Sequence, residues 1–125
     1  MQIEIVKVSQ VGKNQMTTLK RRTGIPTWNI LCRWAFCISI AEKTPPHAHR
    51  SEGDYPIEMT WKTFAGEYDG LYLALLKKQC LSDGVELTSE NIQRQLRLHI
   101  HRGLSYLAGD KSMKSIEDFV GIAVK

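Results

Sequence analysis

The residues of this sequence best able to do chemistry are its cations, and the densest cluster of them is Lys20-Arg21-Arg22. Lys13 precedes this cluster by two helical turns, and Arg33 follows it on the next predicted helix. Grouped lysines and arginines bind phosphates, and each phosphate contact releases counterions, so affinity falls as salt rises. Cations at a helix end also complement the helix dipole, and a solvated helix end is therefore the alternative interpretation.

A second basic group is predicted at Arg94 and Arg97, with His101 and Arg102 beside them. The spacing of Arg94, Arg97 and His101 places them on one face of a helix. Some of these cations could instead pair with nearby carboxylates. The chain has 17 Lys and Arg against 13 Asp and Glu, and this net charge of +4 suits an anionic partner. We therefore expect phosphate contacts from both basic groups.

Residue types that usually support catalysis occur here at unsuitable spacings. His99 and His101 lie two residues apart on a predicted helix and point about 200° apart, so they cannot share one metal ion. Glu67 and Asp69 face different ways for the same reason, which argues against an acid–base pair. Cys80, beside two lysines, is the only candidate nucleophile and a weak one. We predict no catalytic residue, no metal and no cofactor.

The cysteines indicate thiols rather than a disulfide framework. Cys32, Cys37 and Cys80 form an odd, sparse set, and no Cys-x-x-Cys pair is present. Cys32 and Cys37 fall in an apolar helical run and are expected to be buried.

The first half of the chain is predicted to form a strand and two helices. Residues 3–8 are β-branched and typical of a strand. Ser9 is placed to cap a helix over residues 10–22, which Gly24 ends. We expect Val11, Gln15, Leu19 and Met16 to form the inward face of this helix.

This order is similar to that of ribbon-helix-helix proteins, in which strands of two subunits pair and enter the major groove. Glu4 would lie in the middle of the strand, where its carboxylate repels phosphates, so base readout by this strand is disfavoured. The second helix begins at Pro26-Thr27 and is apolar nearly all round, so it must be buried on more than one side. Self-association and burial against later helices both explain this. The interface predicted for self-association comprises Gly24, Ile30, Leu31, Trp34 and Ile38.

The second half of the chain is predicted to be helical after a loop over residues 44–56 and a strand or extended arm over 57–64. A helix over residues 66–84 has its apolar face at Tyr68, Leu71, Tyr72, Leu75 and Leu76. A helix capped by Thr88 or Ser89 reaches residue 107, with an inward stripe of Ile92, Leu96, Ile100, Leu104 and Leu107. A last short helix is expected over 112–119. The fold class is mainly α with a short N-terminal β-strand, a ribbon-helix-helix-like core and additional C-terminal helices.

The size of the chain fits one domain, because 125 residues of which 42% are hydrophobic can bury one core. Its expected parts are a strand-helix-helix unit over 1–43, a loop and arm over 44–64 and a helical part over 65–125. No run approaches the roughly 18 apolar residues of a membrane span, and the start lacks the pattern of a secretory signal. A soluble, cytoplasmic protein is expected.

Several short stretches, in order and at similar spacing over residues 3–107, resemble the DNA sulfur modification protein DndE family. They are Arg22-Thr23-Gly24, Asn29-Ile30-Leu31-Cys32-Arg33, Gly66-Glu67-Tyr68-Asp69, Leu71-Tyr72, Ala74-Leu75-Leu76-Lys77, Asp83-Gly84 and His99-Ile100-His101-Arg102-Gly103. Trp28, Ala65 and the loop at 44–56 depart from the usual pattern of the family.

The resemblance implies a component of DNA phosphorothioation, in which sulfur replaces a non-bridging phosphate oxygen. Members of the family act beside a cysteine desulfurase, an iron–sulfur protein similar to ATP pyrophosphatases and an ATPase of the SMC type. The resemblance further implies a ribbon-helix-helix-like core, a tetramer, binding to duplex DNA with a preference for nicks, and no established catalytic residue.

Three other functions remain open at this stage. A ribbon-helix-helix transcriptional regulator would read one DNA sequence with its strand, and Glu4 counts against it. A protein-interaction scaffold of the sulfur-transfer machinery would tolerate charge reversal at the first basic cluster. A small enzyme would depend on Cys80.

Overall fold

The computed structural model describes residues 3–47 and 54–109, which form two short strands and five α-helices. In chain order these are β1 (Ile5–Val8), α1 (Gln10–Thr23), α2 (Trp28–Ala41), β2 (Ile57–Thr60), α3 (Trp61–Ala65), α4 (Asp69–Ser82) and α5 (Ser89–Gly109), with a 3-10 turn at Gly66–Tyr68. None of the helices in the described ranges is long and apolar enough to cross a membrane. The helix predicted over 112–119 lies outside the described residues.

The mainly helical fold with an N-terminal strand is confirmed, but β1 pairs differently from the strand of a ribbon-helix-helix protein. It runs antiparallel to β2 of the same chain, with Ile5 opposite Thr60 and Val8 opposite Ile57. Pairing within the chain replaces the pairing between subunits that a ribbon-helix-helix fold requires, and that part of the expectation is not confirmed. Val6 and Val8 face the core while Lys7 between them is exposed, as strand alternation dictates.

The strand β2 is shorter than the strand or arm that was predicted over residues 57–64. β2 ends at Thr60, whose hydroxyl accepts a hydrogen bond from the Thr63 amide at 3.1 Å and so caps α3. The bend from strand to helix buries Phe64 in the core. The helix predicted from residue 66 instead begins at Asp69, because Gly66 (φ 63°) ends α3 and a 3-10 turn intervenes.

Both predicted ends of α1 are confirmed. The Ser9 hydroxyl accepts from the Gly12 amide at 3.1 Å, and Gly24, in the left-handed region at φ 75°, donates its amide to Lys20 O at 2.9 Å. Met16 is buried as expected, but Val11 is 61% exposed, and its predicted inward position is wrong.

The reason lies in the residue next to Val11. Gly12 packs so closely that a Cβ there would lie 2.5 Å from Val8 Cγ1. The inward face of α1 therefore runs through the backbone of Gly12, with Leu19 buried further along it. Because glycine carries no side chain, an apolar periodicity does not reveal such a contact.

The core is built around α2 and α5, which pack along most of their length. The inward stripe predicted for α5 is confirmed, since Ile92, Leu96, Ile100, Leu104 and Leu107 are all buried. Facing it, α2 buries Leu31, Cys32, Ala35 and Phe36. Burial against a later helix thus accounts for one side of α2.

The outer side of α4 remains exposed. Tyr68 and Leu71, predicted to lie on its apolar face, are 64% and 58% exposed, and Leu81 is 64% exposed. Of that predicted face, Leu76 is buried and Tyr72 packs at the edge of the core. Because the apolar residues of α4 are distributed around the helix, the face predicted from the sequence included side chains that are exposed.

Candidate nucleic-acid interface

The first basic cluster lies in the last turn of α1, where Lys20, Arg21 and Arg22 follow one another. Each has different surroundings. Arg21 is exposed, whereas the Lys20 ammonium lies over the ring of Trp28 on α2, with Nζ 4.0 Å from the ring centroid. Arg22 is partly buried and donates from Nη1 to Ala108 O at 3.1 Å, which ties the end of α1 to the end of α5.

Among the described residues, no carboxylate forms an ion pair with these cations. Across residues 3–47 and 54–109 the ion pairs are Lys7 with Glu58 at 3.8 Å and Lys62 with Asp69 at 4.0 Å. The positive charge of α1 therefore acts on the solvent beside it, and the C-terminal end of the helix dipole concentrates cations there.

Arg33, predicted to extend this cluster, is directed elsewhere. Its guanidinium donates from Nε to Phe64 O and from Nη2 to Thr63 O, the latter at 3.0 Å. It thereby supplies donors to carbonyls at the end of α3. Gly66 leaves room for it, since a Cβ there would lie 3.0 Å from Arg33 Nη2. The structure gives Arg33 a role in positioning α3.

The second predicted group is only partly assembled on the surface. Arg94 is exposed and donates to Asn91 Oδ1 at 3.1 Å. The Arg97 guanidinium lies over the ring of Tyr55, 5.3 Å from its centroid. Between β1 and α5, Arg97 lines a cleft of about 100 Å³ together with Lys7. Lys7 was not among the predicted site residues, and its ammonium pairs with Glu58 at 3.8 Å.

His101, which was assigned to that basic face, is buried and has a structural role. Its Nδ1 lies 2.7 Å from Arg97 O, and since a carbonyl can only accept, Nδ1 carries the proton. Nε2 is then the acceptor for the Ser9 amide at 3.1 Å and the Ser9 hydroxyl at 3.0 Å. His101 therefore fixes the start of α1 against α5 and does not belong to the basic surface.

His99 lies on the opposite side of α5 from His101, as their spacing predicted. It is fully buried, with Nδ1 2.7 Å from Ser39 Oγ and its ring edge-on to Phe36. Burial, and secondarily the charge of Arg102, lowers the pKa of His99 to about 4.

We predict a pH-dependent stability that originates at His99. Unfolded histidine titrates near 6.5 and folded His99 near 4, so between these values only the unfolded chain gains a proton. The free energy of unfolding should then fall as pH drops from 6.5 to 4, by up to about 1.4 kcal/mol per pH unit. Urea unfolding across this range should show that slope reduced in His99→Gln. The slope should persist in His47→Gln, because His47 is exposed; equal slopes in both variants would contradict the assignment.

Arg102 connects α5 to the end of α2. Its Nε donates to Ser39 Oγ at 2.8 Å and its Nη2 to Ser39 O at 2.7 Å, while Nη1 reaches Thr44 O at 3.0 Å. These bonds add charged donors at the end of α2, where Ser39 O also accepts from the Glu42 amide at 3.1 Å, and in the loop after it. Arg102, like His99 and His101, thus belongs to the internal framework.

Replacing Arg102 with methionine keeps the aliphatic stem and removes every donor. We expect the free energy of unfolding to fall by about 2 kcal/mol, because partly buried acceptors lose charged partners. Arg94→Met on the exposed face of α5 is the matched control and should change it by less than about 0.5 kcal/mol. Denaturant unfolding of both variants measures this, and a similar loss in each would contradict the role given to Arg102.

The thiols offer no activated nucleophile among the described residues. Burial raises the pKa of Cys32 to about 12. Cys80 is also buried, and desolvation followed by the charge of Asp83 raises its pKa, opposite to the effect expected from neighbouring lysines. Cys37 is exposed rather than buried, which corrects the expectation for it. Partial desolvation of its thiol raises its pKa, and a hydrogen bond with Tyr72 opposes this. No group of three or more potential ligands in the described ranges could hold a metal.

The residues predicted to mediate self-association separate into two sets. Leu31 is fully buried in its own chain and presents no surface of its own. Ile30 and Trp34 line an apolar groove of about 370 Å³ with Tyr72 of α4. Ile38 is partly buried and Gly24 is exposed. The face of α2 that α5 leaves uncovered thus carries Ile30, Trp34 and Ile38.

Comparison with known proteins gives one family and one fold. The sequence model of the family described as DNA sulphur modification protein DndE matches residues 5–115. The crystal structure of DndE from Escherichia coli B7A, involved in DNA phosphorothioation modification, is similar with a TM-score of 0.71 and 23% identity, over 86% of this chain and 98% of that chain. The crystal structure of a DndE lysine-substitution mutant involved in DNA phosphorothioation has a TM-score of 0.68 and 19% identity, over 87% of this chain and 100% of that chain. A search of curated proteins gave no match.

Proposed function

The chain belongs to the DndE family of DNA sulphur modification proteins, and from this we propose that it is a non-catalytic, DNA-binding accessory component of phosphorothioation. It acts in the cytoplasm beside the other DNA sulfur modification proteins, which are its protein partners. Its ligand is duplex DNA, with a preference for nicks. It needs no cofactor and performs no covalent step itself.

The observation that carries this proposal is the set of cations along α1 that have no ion-pair partner within residues 3–47 and 54–109. Lys13, Lys20 and Arg21 remain available to phosphates, because the ion pairs of the described residues involve other side chains. Arg22 lies beside them, but its Nη1 donates a hydrogen bond to Ala108 O. Arg94 and Arg97 supply a second, weaker contact, and Arg33 supports the surface from beneath.

A nick preference has a simple physical basis. DNA bends and unstacks more readily at a nick, so fitting it to a rigid surface costs less free energy than fitting an intact duplex. The cations of α1 stand on such a surface, since the helix is capped at both ends and packed against α5. Sequence-specific readout by β1 is disfavoured, because Glu4 is exposed next to the strand and would repel phosphates.

The working form of the protein is a homo-oligomer, and a tetramer is the state that we propose. The uncovered face of α2 with Ile30, Trp34 and Ile38 supplies apolar area for such contacts, and Gly24 allows close approach at the turn before it. Repeating the basic surface in each copy raises the effective concentration of cations around one DNA.

The test is a competition experiment on the full chain. A labelled nicked duplex is bound, and unlabelled nicked duplex, intact duplex and single strand of the same sequence are added as competitors. We expect the nicked duplex to compete best. Equal competition by nicked and intact duplexes at every salt concentration would remove the nick preference, and failure of the labelled DNA to bind would remove DNA binding altogether.

A protein-interaction scaffold is the second candidate, and the exposed apolar side of α4 favours it. Leu71 and Leu81 are both more than half exposed, and such side chains commonly mark contacts with other proteins. The two functions predict different effects of the same variants on DNA phosphorothioation in cells. A scaffold retains DNA phosphorothioation after charge reversal on α1 and loses it after Leu71→Asp, whereas a DNA-binding component shows the opposite order.

A further inference from the structure

An open cleft lies where the end of α1, the start of α2 and β2 meet. Its volume is about 320 Å³, and its wall includes Lys20, Trp28 and Asn29 on one side and Met59 and Thr63 on the other. The size is within the range of sites that enclose a small organic group. The cleft adjoins the basic end of α1 but is lined mainly by an indole ring and aliphatic atoms.

Trp28 is held in this cleft rather than mobile on the surface. Its ring packs partly against the hydrophobic core. The next residue, Asn29, donates its side-chain amide to Thr63 O at 3.3 Å, which fixes the start of α2 against α3. Lys20 Nζ lies 4.0 Å from the ring centroid, so one face of the indole is covered by the end of a flexible side chain.

On the basis of the proposed DNA binding, we infer that Trp28 is a stacking platform for an unstacked nucleobase of DNA, such as a terminal base that swings out of the helix at a nick. Every nucleobase has a flat π-face, so an indole binds one with little regard to sequence. In an intact duplex both faces of each base are covered by neighbours, and the platform has nothing to bind. The site therefore distinguishes interrupted from continuous DNA.

The charges around the ring define how the strand would lie. Lys20 can turn from the indole to the phosphate that flanks the stacked base, which keeps its charge satisfied. Thr27 caps α2 without a side-chain hydrogen bond, so the first amides of that helix are available on the same side. Glu58 lines the opposite wall, 3.8 Å from Lys7, and its carboxylate directs phosphates away from β2.

The test compares Trp28→Leu, which keeps apolar packing without an aromatic face, with Trp28→Phe, which keeps both. Binding of each to nicked and intact duplexes is measured at one salt concentration, after thermal melting has shown both variants to be folded. Trp28→Leu should weaken binding to the nicked duplex by roughly 5- to 100-fold and leave the intact duplex unchanged. Trp28→Phe should retain most of the wild-type preference for the nicked duplex over the intact duplex.

Two results would overturn the stacking role while leaving DNA binding intact. In one, Trp28→Leu retains the nick preference; in the other, it weakens both duplexes equally, which indicates support of the surface only. If the wild type binds none of the DNAs, the proposed function fails and the inference fails with it.

A second measurement leaves Trp28 unchanged. In a Trp34→Phe, Trp61→Phe variant, Trp28 is the remaining tryptophan. A short single-stranded oligonucleotide should then quench its fluorescence by stacking. Binding without quenching would contradict the inference.

Discussion

Reversing Lys13, Lys20 and Arg21 together to glutamate should weaken duplex DNA binding by on the order of 100-fold or more at moderate salt. The three side chains lie along one helix and have no carboxylate partner among the described residues. Each lost phosphate contact should reduce the slope of log affinity against log salt by about 0.9. We leave Arg22 unchanged in this variant because it donates to Ala108 O, and its loss would alter packing as well as charge.

The control separates local charge from net charge. In the control, the exposed Lys43, Lys62 and Lys78 are replaced with glutamate. This changes the formal net charge by −6, from +4 to −2, which is the same change as in the α1 variant. Binding by the control should fall far less and keep a steep salt slope. Equal losses in both variants would show that DNA responds to the overall charge and not to a surface on α1.

The largest effect on stability is expected from Gly103→Ala. A Cβ at Gly103 would lie 1.9 Å from Ala35 O and 2.3 Å from the carbonyl carbon of the same residue. These are backbone atoms in the middle of α2 and cannot move aside as a side-chain end can. One methyl group must therefore separate the two helices that build the core. We expect a loss at or above the upper end of the about 1–3 kcal/mol usual for overpacking.

Gly70→Ala provides the matched comparison, because a Cβ at this helical and exposed position meets nothing within 4 Å. It should leave stability unchanged or raise it by up to about 1 kcal/mol. Urea unfolding of the two variants measures both effects. A small loss in Gly103→Ala would contradict the close packing of α2 on α5.

The sequence predicted those elements whose signals are local. Ser9 and Gly24 bound α1 because caps depend on a few neighbouring atoms, and the stripe from Ile92 to Leu107 gave the inward face of α5 because its apolar spacing is unbroken. The pairing of β1 was not predictable in this way. Its partner β2 is some fifty residues later in the chain, and Ile5 opposite Thr60 is a contact that no local pattern records.

The candidate interface also depends on contacts between distant residues, which local sequence patterns do not reveal. The lysines and arginines of α1 were identified from their spacing, but the roles of Arg33 and His101 depend on distant backbone atoms. Lys20 over Trp28 joins two helices across a turn and was likewise not evident from either helix alone. Charge can be read from sequence, whereas the partner that a charge meets is set by the fold.

The stretch from His99 to Gly103 is a clear instance of motif residues that position rather than bind. His99 bonds Ser39, and Arg102 bonds the end of α2. His101 holds the start of α1, and Gly103 allows α2 to approach. The family motif from His99 to Gly103 is thus explained by its contacts inside the protein. These contacts fix α1 and α2 on α5 and so hold the basic end of α1 in place.

The most direct test of the central claim is the affinity of the wild-type chain for a nicked duplex, measured from low to moderate salt. We expect log affinity to fall linearly with log salt, with a slope that indicates at least about three phosphate contacts. Binding that does not change with salt, or no binding at the lowest salt, would contradict it, and the apolar side of α4 would then be the surface by which this protein acts.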